Sequence, residues 1–377
     1  MNAIYNRLNI ALLLCLVWGL MACVEEFTPK MPIGANECLV VDGNIISDST
    51  VIFSLSRTFS LTEELNESEF ADIKADLQVL GSDGSVYNAI PRDRGKFEVK
   101  IGTLDPEVLY HVEIQYAGDV YTSTPQAPLT TELVDSLSYA QEEDFGLISL
   151  SLFAHAAEEA YFVWNFEEVW ELKSFFDPTH HYNFETKRVE AGLGNVWLRG
   201  WGRSVSPTTL VGTTGTNTDN KVIKTLHTLT ASDLKLSQLY SMQVYQRRVS
   251  KGEYEYYECK AQNGNATGGL FGAQPSELPT NIVCSNPKKK VIGFVGVNMN
   301  VERMRIFIYN SDIKYEDNMR CAIVYPVDLG VVPIPTSEEM YNSGYLPLDD
   351  EAWSQNFCID IRSLGASISD KPAYWPR

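Results

Sequence analysis

The residue with the most specific chemistry in this sequence is Cys23. A positive residue, Arg7, precedes an apolar run over residues 8–21, and the small residue Ala22 stands directly before the cysteine. A basic start, an apolar run and a small residue form a secretory signal, and a bacterial lipoprotein signal adds a cysteine directly after that residue. The pattern therefore predicts that residues 1–22 are removed, that the Cys23 sulfur takes a diacylglycerol and that its freed amine takes a third acyl chain.

Two alternatives compete with lipidation. One is a plain signal peptide in which Cys23 is incidental, and the other is an uncleaved membrane anchor over residues 8–21. An anchor needs about 20 apolar residues to cross the hydrocarbon core of a bilayer, and this run is too short. We therefore expect the mature protein to be held at a membrane by lipid on Cys23, without spanning it.

The remaining candidates for catalysis or metal binding are weak. His180 and His181 carry metal-binding nitrogens, but adjacent residues on a strand point to opposite faces, so an exposed polar loop is the better interpretation. Glu168 shares the face of a predicted strand with Trp164 and Trp170. Glycosidases use two carboxylates that line a cleft, yet an acidic chain offers many such pairs. The sequence therefore predicts a non-catalytic protein with no metal and no cofactor.

Aromatic side chains suggest another kind of chemistry, the stacking of indole and phenol rings on sugars. Alternating aromatics on the long predicted strand over residues 161–172 are interpreted as core, their usual place in a β protein. Residues 192–220 are rich in Gly, Thr and Ser, which predicts a long loop. Trp197 and Trp201 lie in it, and loops carry binding residues that packed strands cannot. These two tryptophans are therefore candidate ligand contacts.

The composition limits the possible partners. The 377 residues carry a formal net charge of −19, and such an acidic chain is repelled by phosphate groups, which disfavours nucleic-acid binding. The length exceeds that of one ordinary core, so two domains are expected.

Cysteine usage fits an oxidising compartment. No pair has the spacing of a zinc or redox motif, so one or two disulfides with one thiol left over are expected. Their pairing stays open. The five candidates are Cys38, Cys259, Cys284, Cys321 and Cys358.

The elements that hold these residues are predicted to be mostly β. After a tether over residues 23–36, short alternating runs with Gly and Asp turns predict an immunoglobulin-like β-sandwich over residues 37–130. Tyr110, which begins a strand, resembles the tyrosine corner of such sandwiches. A larger β-rich domain with one or two short helices is predicted over residues 131–377. One helix is predicted to begin at Ser250, which forms a capping box with Glu253.

Several segments together resemble a known family. They include LVVDGNI near the start, YQRRVSKGEYEYYE from Tyr245, the stretch over residues 269–281 and the tail CIDIRSLGASISDKPAYWP. The chain resembles the Bacteroidota outer-membrane lipoproteins of domain of unknown function family 4249. In that family the tail often reads Cys-x-Asp-Cys-Arg. Ile361 replaces the second cysteine here, which puts in doubt any disulfide carried over to the tail.

The resemblance implies a location and a partner, and the family has no established activity to transfer. Its members commonly accompany TonB-dependent outer-membrane receptors, and the acidic pair Glu25 and Glu26, just after the lipidated cysteine, resembles a surface-export signal. Leu270 and Phe271 are the apolar anchors of an extended loop, either a packing loop or a docking loop for a receptor.

The favoured function is that of a lipid-anchored outer-membrane protein, facing outward, that serves as an accessory or ligand-capture partner of a TonB-dependent receptor. Its expected partners are the membrane through the lipid, the receptor, and a small ligand, glycan or peptide. The alternative is a glycan-binding or adhesive surface lipoprotein that acts without a transporter.

Overall fold

Alternating buried and exposed side chains form the strands of the first part of the chain. The computed structural model describes residues 38–58, 73–215, 219–265 and 277–376. In the strand Thr50–Arg57, the side chains of Val51, Phe53 and Leu55 point into the core, as a period of two requires. The strands of this part are β1 (Leu39–Asp42), β2 (Ile45–Ile46), β3 (Thr50–Arg57), β4 (Ala75–Gly81), β5 (Val86–Pro91), β6 (Lys96–Lys100), β7 (Tyr110–Tyr116) and β8 (Asp119–Ser123).

The rest of the chain adds longer strands and two helices. Before the first helix lie β9 (Ser136–Gln141), β10 (Ile148–His155), β11 (Tyr161–Lys173), β12 (His180–Asn183), β13 (Arg188–Ala191), β14 (Arg199–Val205), β15 (Leu210–Thr213), β16 (Lys221–Leu229) and β17 (Leu239–Val249). Then follow α1 (Lys251–Asn265), β18 (Ile282–Cys284), β19 (Val291–Gly293), β20 (Val297–Asn298), β21 (Glu302–Tyr309), α2 (Ser337–Asn342), β22 (Tyr345–Pro347) and β23 (Trp353–Gln355). The prediction of a mostly β fold with one or two short helices is confirmed.

The first sheet is a nearly closed, barrel-like sandwich of nine strands. Their order is β18-β8-β7-β4-β5-β6-β3-β1-β19, and they surround one core that includes Phe53, Val79 and Val112. Its two edge strands, β18 and β19, come from much later in the sequence. The boundary predicted at residue 130 therefore does not separate the sheets, and the described residues belong to one compact unit, Cys38–Arg377.

The predicted tyrosine corner is present in this sandwich. Tyr110 begins β7 and is buried, and its hydroxyl accepts a hydrogen bond from the backbone N–H of Asp105 at 3.0 Å. This contact ties the strand to the turn before it, as in immunoglobulin-like sandwiches.

Two further sheets pack face to face in the second part of the chain. One has the order β16-β10-β9, and the other, called the central sheet below, has the order β14-β11-β17-β21 with β15 also paired to β11. Phe162, Trp164 and Phe166 lie on one face of β11 and fill the core between the two sheets. The interpretation of these aromatics as core is confirmed.

Among the residues that the structure describes, α1 and the C-terminal segment cover the two ends of the other face of the central sheet. At one end α1 packs Tyr256 and Tyr257 against Val163. At the other end Trp375, from the C-terminal segment, packs against Val169. Polar side chains occupy the middle of this face, between the two covered ends.

The C-terminal segment is closed by a disulfide between Cys321 and Cys358. The tail therefore takes part in a disulfide although Ile361 replaces the second cysteine of the family pattern. Cys38 and Cys284 are free thiols. In the part of the chain that the structure describes, no helix has the length and apolar character needed to cross a membrane.

Candidate functional site

A polar groove lies where the first sandwich meets the central sheet and α1. It encloses about 380 Å³, and a more open extension of about 550 Å³ continues past Tyr245 to Arg303. We call the two together the central groove. Its polar lining side chains come from the first sandwich, the central sheet and α1, and include Asp42, Asn44, Asp48, Asn165, Tyr245, Arg247, Tyr257, Lys260 and Arg303.

The register of three paired strands determines which side chains form the floor of the groove. Asn165 on β11 pairs with Tyr245 on β17, and Tyr245 pairs with Arg303 on β21. Because directly opposite residues in antiparallel strands share a face, these three side chains form a row across the central sheet. The neighbouring residue Trp164 points the other way, into the core. Asn165 after Trp164 and Glu167 after Phe166 thus place polar side chains behind an apolar core.

A buried ion pair forms one wall of the groove. A guanidinium nitrogen of Arg247 lies 2.6 Å from a carboxylate oxygen of Glu253, and both side chains are buried. Another guanidinium nitrogen donates to Oδ1 of Asn298 at 2.9 Å. Burial alone lowers the pKa of Arg247, but the Glu253 carboxylate and the Tyr257 hydroxyl outweigh it and the net shift is upward. The wall is therefore a fixed, compensated pair of charges.

Glycine at position 296 makes room for this pair. A Cβ there would collide with the carboxylate of Glu253 and come close to the Arg247 guanidinium. The N–H of Gly296 also donates to Oδ1 of Asn44 at 2.9 Å, which fixes the turn of the first sandwich against the groove.

The phenols of the groove remain neutral donors near neutral pH. Burial raises the pKa of Tyr245, the Glu167 carboxylate raises it further, and the guanidinium groups of Arg303 and Arg305 partly oppose this rise. Burial also raises the pKa of Tyr257. Both phenols therefore keep their proton; that of Tyr245 is donated to Glu167 at 3.4 Å, and the Tyr245 oxygen can still accept a hydrogen bond from a ligand.

Several charged groups of the groove have no ion pair. Among the residues that the structure describes, neither Lys260 nor Asp42 has a salt-bridge partner; the Lys260 ammonium lies 5.9 Å from the ring centroid of Tyr256. These groups, together with the row on the floor, suit a polar ligand that presents both donors and acceptors.

The two tryptophans that were predicted as ligand contacts lie in different surroundings. Trp201 lies on β14, where a loop was expected, and only 4% of it is exposed. Its ring meets that of Trp375 edge to face at 6.2 Å between centroids, so the proposal of Trp201 as a sugar platform is wrong. Trp197 does lie in an irregular segment and is half-buried, with the Arg362 guanidinium 5.6 Å from its ring centroid.

Three other predicted residues lie outside the described part of the chain. They are Cys23, Leu270 and Phe271. Their predicted roles in lipidation and docking stay predictions.

Glu168 belongs to a buried polar network. It is 3% exposed, and its carboxylate accepts hydrogen bonds from Ser204 Oγ at 2.6 Å, Lys235 Nζ at 2.8 Å and the Tyr240 hydroxyl at 2.8 Å. Burial raises its pKa, but the hydrogen bonds from His227, Lys235 and Ser204 prevail and lower the pKa to about 2. Every partner is a donor, so the charge is held in place and is not positioned beside a second carboxylate in a cleft.

The paired histidines form separate contacts. Nδ1 of His180 lies 2.9 Å from the Thr179 hydroxyl, and Nδ1 of His181 lies 3.0 Å from the carbonyl oxygen of Gly192. Within residues 38–58, 73–215, 219–265 and 277–376, no group of three His, Cys, Asp or Glu side chains is arranged to hold a metal ion.

The sequence analysis did not predict the central groove, because the residues that line it come from distant segments of the chain. A usable signal was present: Asn165 interrupts the aromatic run on β11, and Arg247 and Arg248 interrupt the apolar run on β17. Buried arginines at strand positions require partners, and such partners gather other polar residues.

Comparison with known proteins assigns the chain to a family. No curated protein matches the sequence. A family model described as Domain of unknown function (DUF4249) matches residues 24–303. The match spans β1 to the start of β21, which includes the residues of the central groove. It stops before the tail around Cys358, so that part of the resemblance lies outside it. The chain therefore belongs to the DUF4249 family.

Proposed function

We propose that this protein captures a polar ligand in the central groove and passes it to a TonB-dependent outer-membrane receptor, while a lipid on Cys23 holds it at the cell surface. The observation that carries the proposal is the groove itself. It is concave and polar, and its wall is preorganised by the Arg247–Glu253 pair. No catalytic constellation is needed for this role, because binding and release are sufficient.

An exposed apolar segment supports the second half of the proposal. Within residues 323–334 seven large apolar side chains point to solvent, and Val332 is 94% exposed. The segment has a single charge, at Asp328, and its start is fixed because Val324 and Trp353 exchange backbone hydrogen bonds at 2.7 and 2.8 Å. Exposed apolar patches of this kind mark interaction surfaces. We call this segment the apolar loop and propose it as the receptor contact.

Lipidation of Cys23 would hold the protein at the membrane. One acyl chain gives marginal membrane binding, whereas two or more make it stable, and a triacylated Cys23 would meet that requirement. Metabolic labelling with an alkyne analogue of palmitate tests this step. The wild-type protein should take up label and Cys23→Ala should not; label retained in Cys23→Ala would contradict the assignment.

Receptor association is tested by isolating C-terminally tagged protein from outer membranes in mild detergent at native expression levels. A TonB-dependent receptor, identified by mass spectrometry, should co-purify with the wild type and be lost with Val327→Ser/Val332→Ser. Ile223→Ser, which alters an exposed side chain on β16, is the matched control and should retain the receptor. Elution of the wild-type protein without any receptor would refute the proposal.

A further inference from the structure

Two arginines on the edge strand of the central sheet lack carboxylate partners. Arg303 and Arg305 lie two residues apart on β21, so both project from the open face of the sheet. Neither forms a salt bridge with any carboxylate that the structure describes. Arg303 lines the central groove, and Arg305 follows it along the same face.

Carboxylates pair with many of the described arginines, but not with all of them. Six of the described arginines contact a carboxylate: Arg92, Arg199, Arg203, Arg247, Arg248 and Arg362. The sequence has 49 acidic residues against 30 lysines and arginines, so carboxylates are plentiful. Two adjacent guanidinium groups that remain without one are available to an external anion.

Both guanidinium groups are held in place by neutral neighbours. The Arg303 guanidinium lies 5.5 Å from the ring centroid of Tyr245, and that of Arg305 lies 3.7 Å from the ring centroid of Tyr374. Stacking on an aromatic ring restrains a guanidinium without satisfying its N–H donors.

Arg305 is restrained further by two hydrogen bonds. It donates to the Ser241 hydroxyl at 2.8 Å and to the side-chain carbonyl of Gln243. A guanidinium has five N–H donors, so three of those of Arg305 remain. Arg303 has no hydrogen-bond partner in the described part of the chain and keeps all its donors.

We propose that Arg303 and Arg305 bind the carboxylate of an acidic ligand that occupies the central groove. This inference rests on the proposed function, and it assigns the ligand of that function to the class of carboxylic acids. Guanidinium forks match the planar geometry of a carboxylate, and Tyr245 and Asn165 in the same row would contact the uncharged part of the ligand. The carboxylate could belong to a small organic acid, an acidic sugar or a peptide terminus, and these share the recognised group.

The charges around the site favour a singly charged group over phosphate. Asp42 and Asp48 line the same groove, and the chain as a whole is strongly acidic. A doubly charged phosphate would be repelled more by this field than a single carboxylate would.

Thermal shift and calorimetry with matched pairs of probes test the proposal. Each monocarboxylate is compared with a neutral counterpart that lacks the charge: butyrate with butyramide, galacturonate with galactose, and N-acetyltrialanine with its amide. At least one acid should raise the Tm of the wild-type protein in a saturable way while its neutral partner does not, and the acid that succeeds identifies the source of the carboxylate. The isolated arginines Arg188 and Arg320 provide the control, since both are exposed and outside the groove.

The variants separate binding from folding. Arg303→Gln/Arg305→Gln should weaken the acid at least about tenfold, Arg188→Gln/Arg320→Gln should leave it unchanged, and Arg305→Lys should retain part of the affinity if the double variant misfolds. The proposal is overturned if no acid binds, if the two double variants respond alike, or if inorganic phosphate binds in place of every acid. Loss of receptor co-purification with acid binding intact would instead refute the proposed function alone.

Discussion

Glu253 at the start of α1 reaches back to Arg247 near the end of β17, and their charged atoms lie 2.6 Å apart in a buried position. The sequence suggested a different role for Glu253, the reciprocal half of a capping box. One half of the box exists, because the N–H of Glu253 donates to the Ser250 hydroxyl at 3.2 Å. The side chain is instead used to compensate the charge of Arg247.

Removing one partner of this pair should be costly. Glu253→Gln leaves the Arg247 guanidinium buried without a counter-charge, so we expect a loss of about 3–5 kcal/mol in the free energy of unfolding. Urea denaturation measures it. Glu255→Gln, at an exposed position of the same helix, should change stability by less than about 0.5 kcal/mol; equal losses for both variants would contradict the assigned role.

Glu168 should make the protein sensitive to acid. Its pKa falls from an ordinary 4.5 to about 2 in the folded protein, so its contribution is present above pH 4.5 and disappears as the pH falls towards 2. That contribution is about 3 kcal/mol. Glu168→Gln should therefore flatten the dependence of unfolding free energy on pH in this window, whereas exposed Glu185→Gln should retain the wild-type slope.

The Cys321–Cys358 disulfide should stabilise the C-terminal segment. It closes a loop with a sequence separation of 37, and loop-closure entropy for such a length gives about 3–4 kcal/mol. Cys321→Ser/Cys358→Ser should show a lower Tm, and Cys38→Ser should not. Alkylation of the denatured, non-reduced protein, read by mass spectrometry, should label Cys38 and Cys284 but neither Cys321 nor Cys358.

The two candidate tryptophans should differ in their effect on stability. Trp201→Ala removes a ring packed against Trp375, and we expect a loss of about 3–5 kcal/mol. Trp197→Ala, at a half-buried position, should cost less than about half as much. Urea denaturation compares them; an equal or smaller loss for Trp201→Ala would show that its ring is not part of the core.

The elements that sequence reasoning located are those whose signal is local. Alternation identified β3 and β11, a small turn motif and Tyr110 identified the start of β7, and Ser250 identified the start of α1. Each depends on neighbours within a few residues, which the sequence displays directly.

The elements that it missed depend on distant residues. Gly293 adopts a positive φ of 141°, so the apolar run that contains it is divided into β19 and β20, which pair with different partners. Trp201 is another case: its glycine-rich surroundings predicted a loop, yet pairing with β11 makes it a strand. For the same reason the central groove could not be foreseen, because its row of side chains exists only once three strands are in register.

The late arrival of β18 and β19 has a consequence for how the chain matures. Gly296 donates to Asn44 across a separation of 252 residues, and β1 gains its second neighbour only from β19. A chain that emerges amino terminus first therefore carries an unfinished sheet with two open edges until residues 282–293 arrive, and open edges invite wrong pairing. Residues 37–130 produced alone should for that reason aggregate. Co-expression of residues 277–300, which contain β18 and β19, should restore their solubility if the two open edges cause the aggregation.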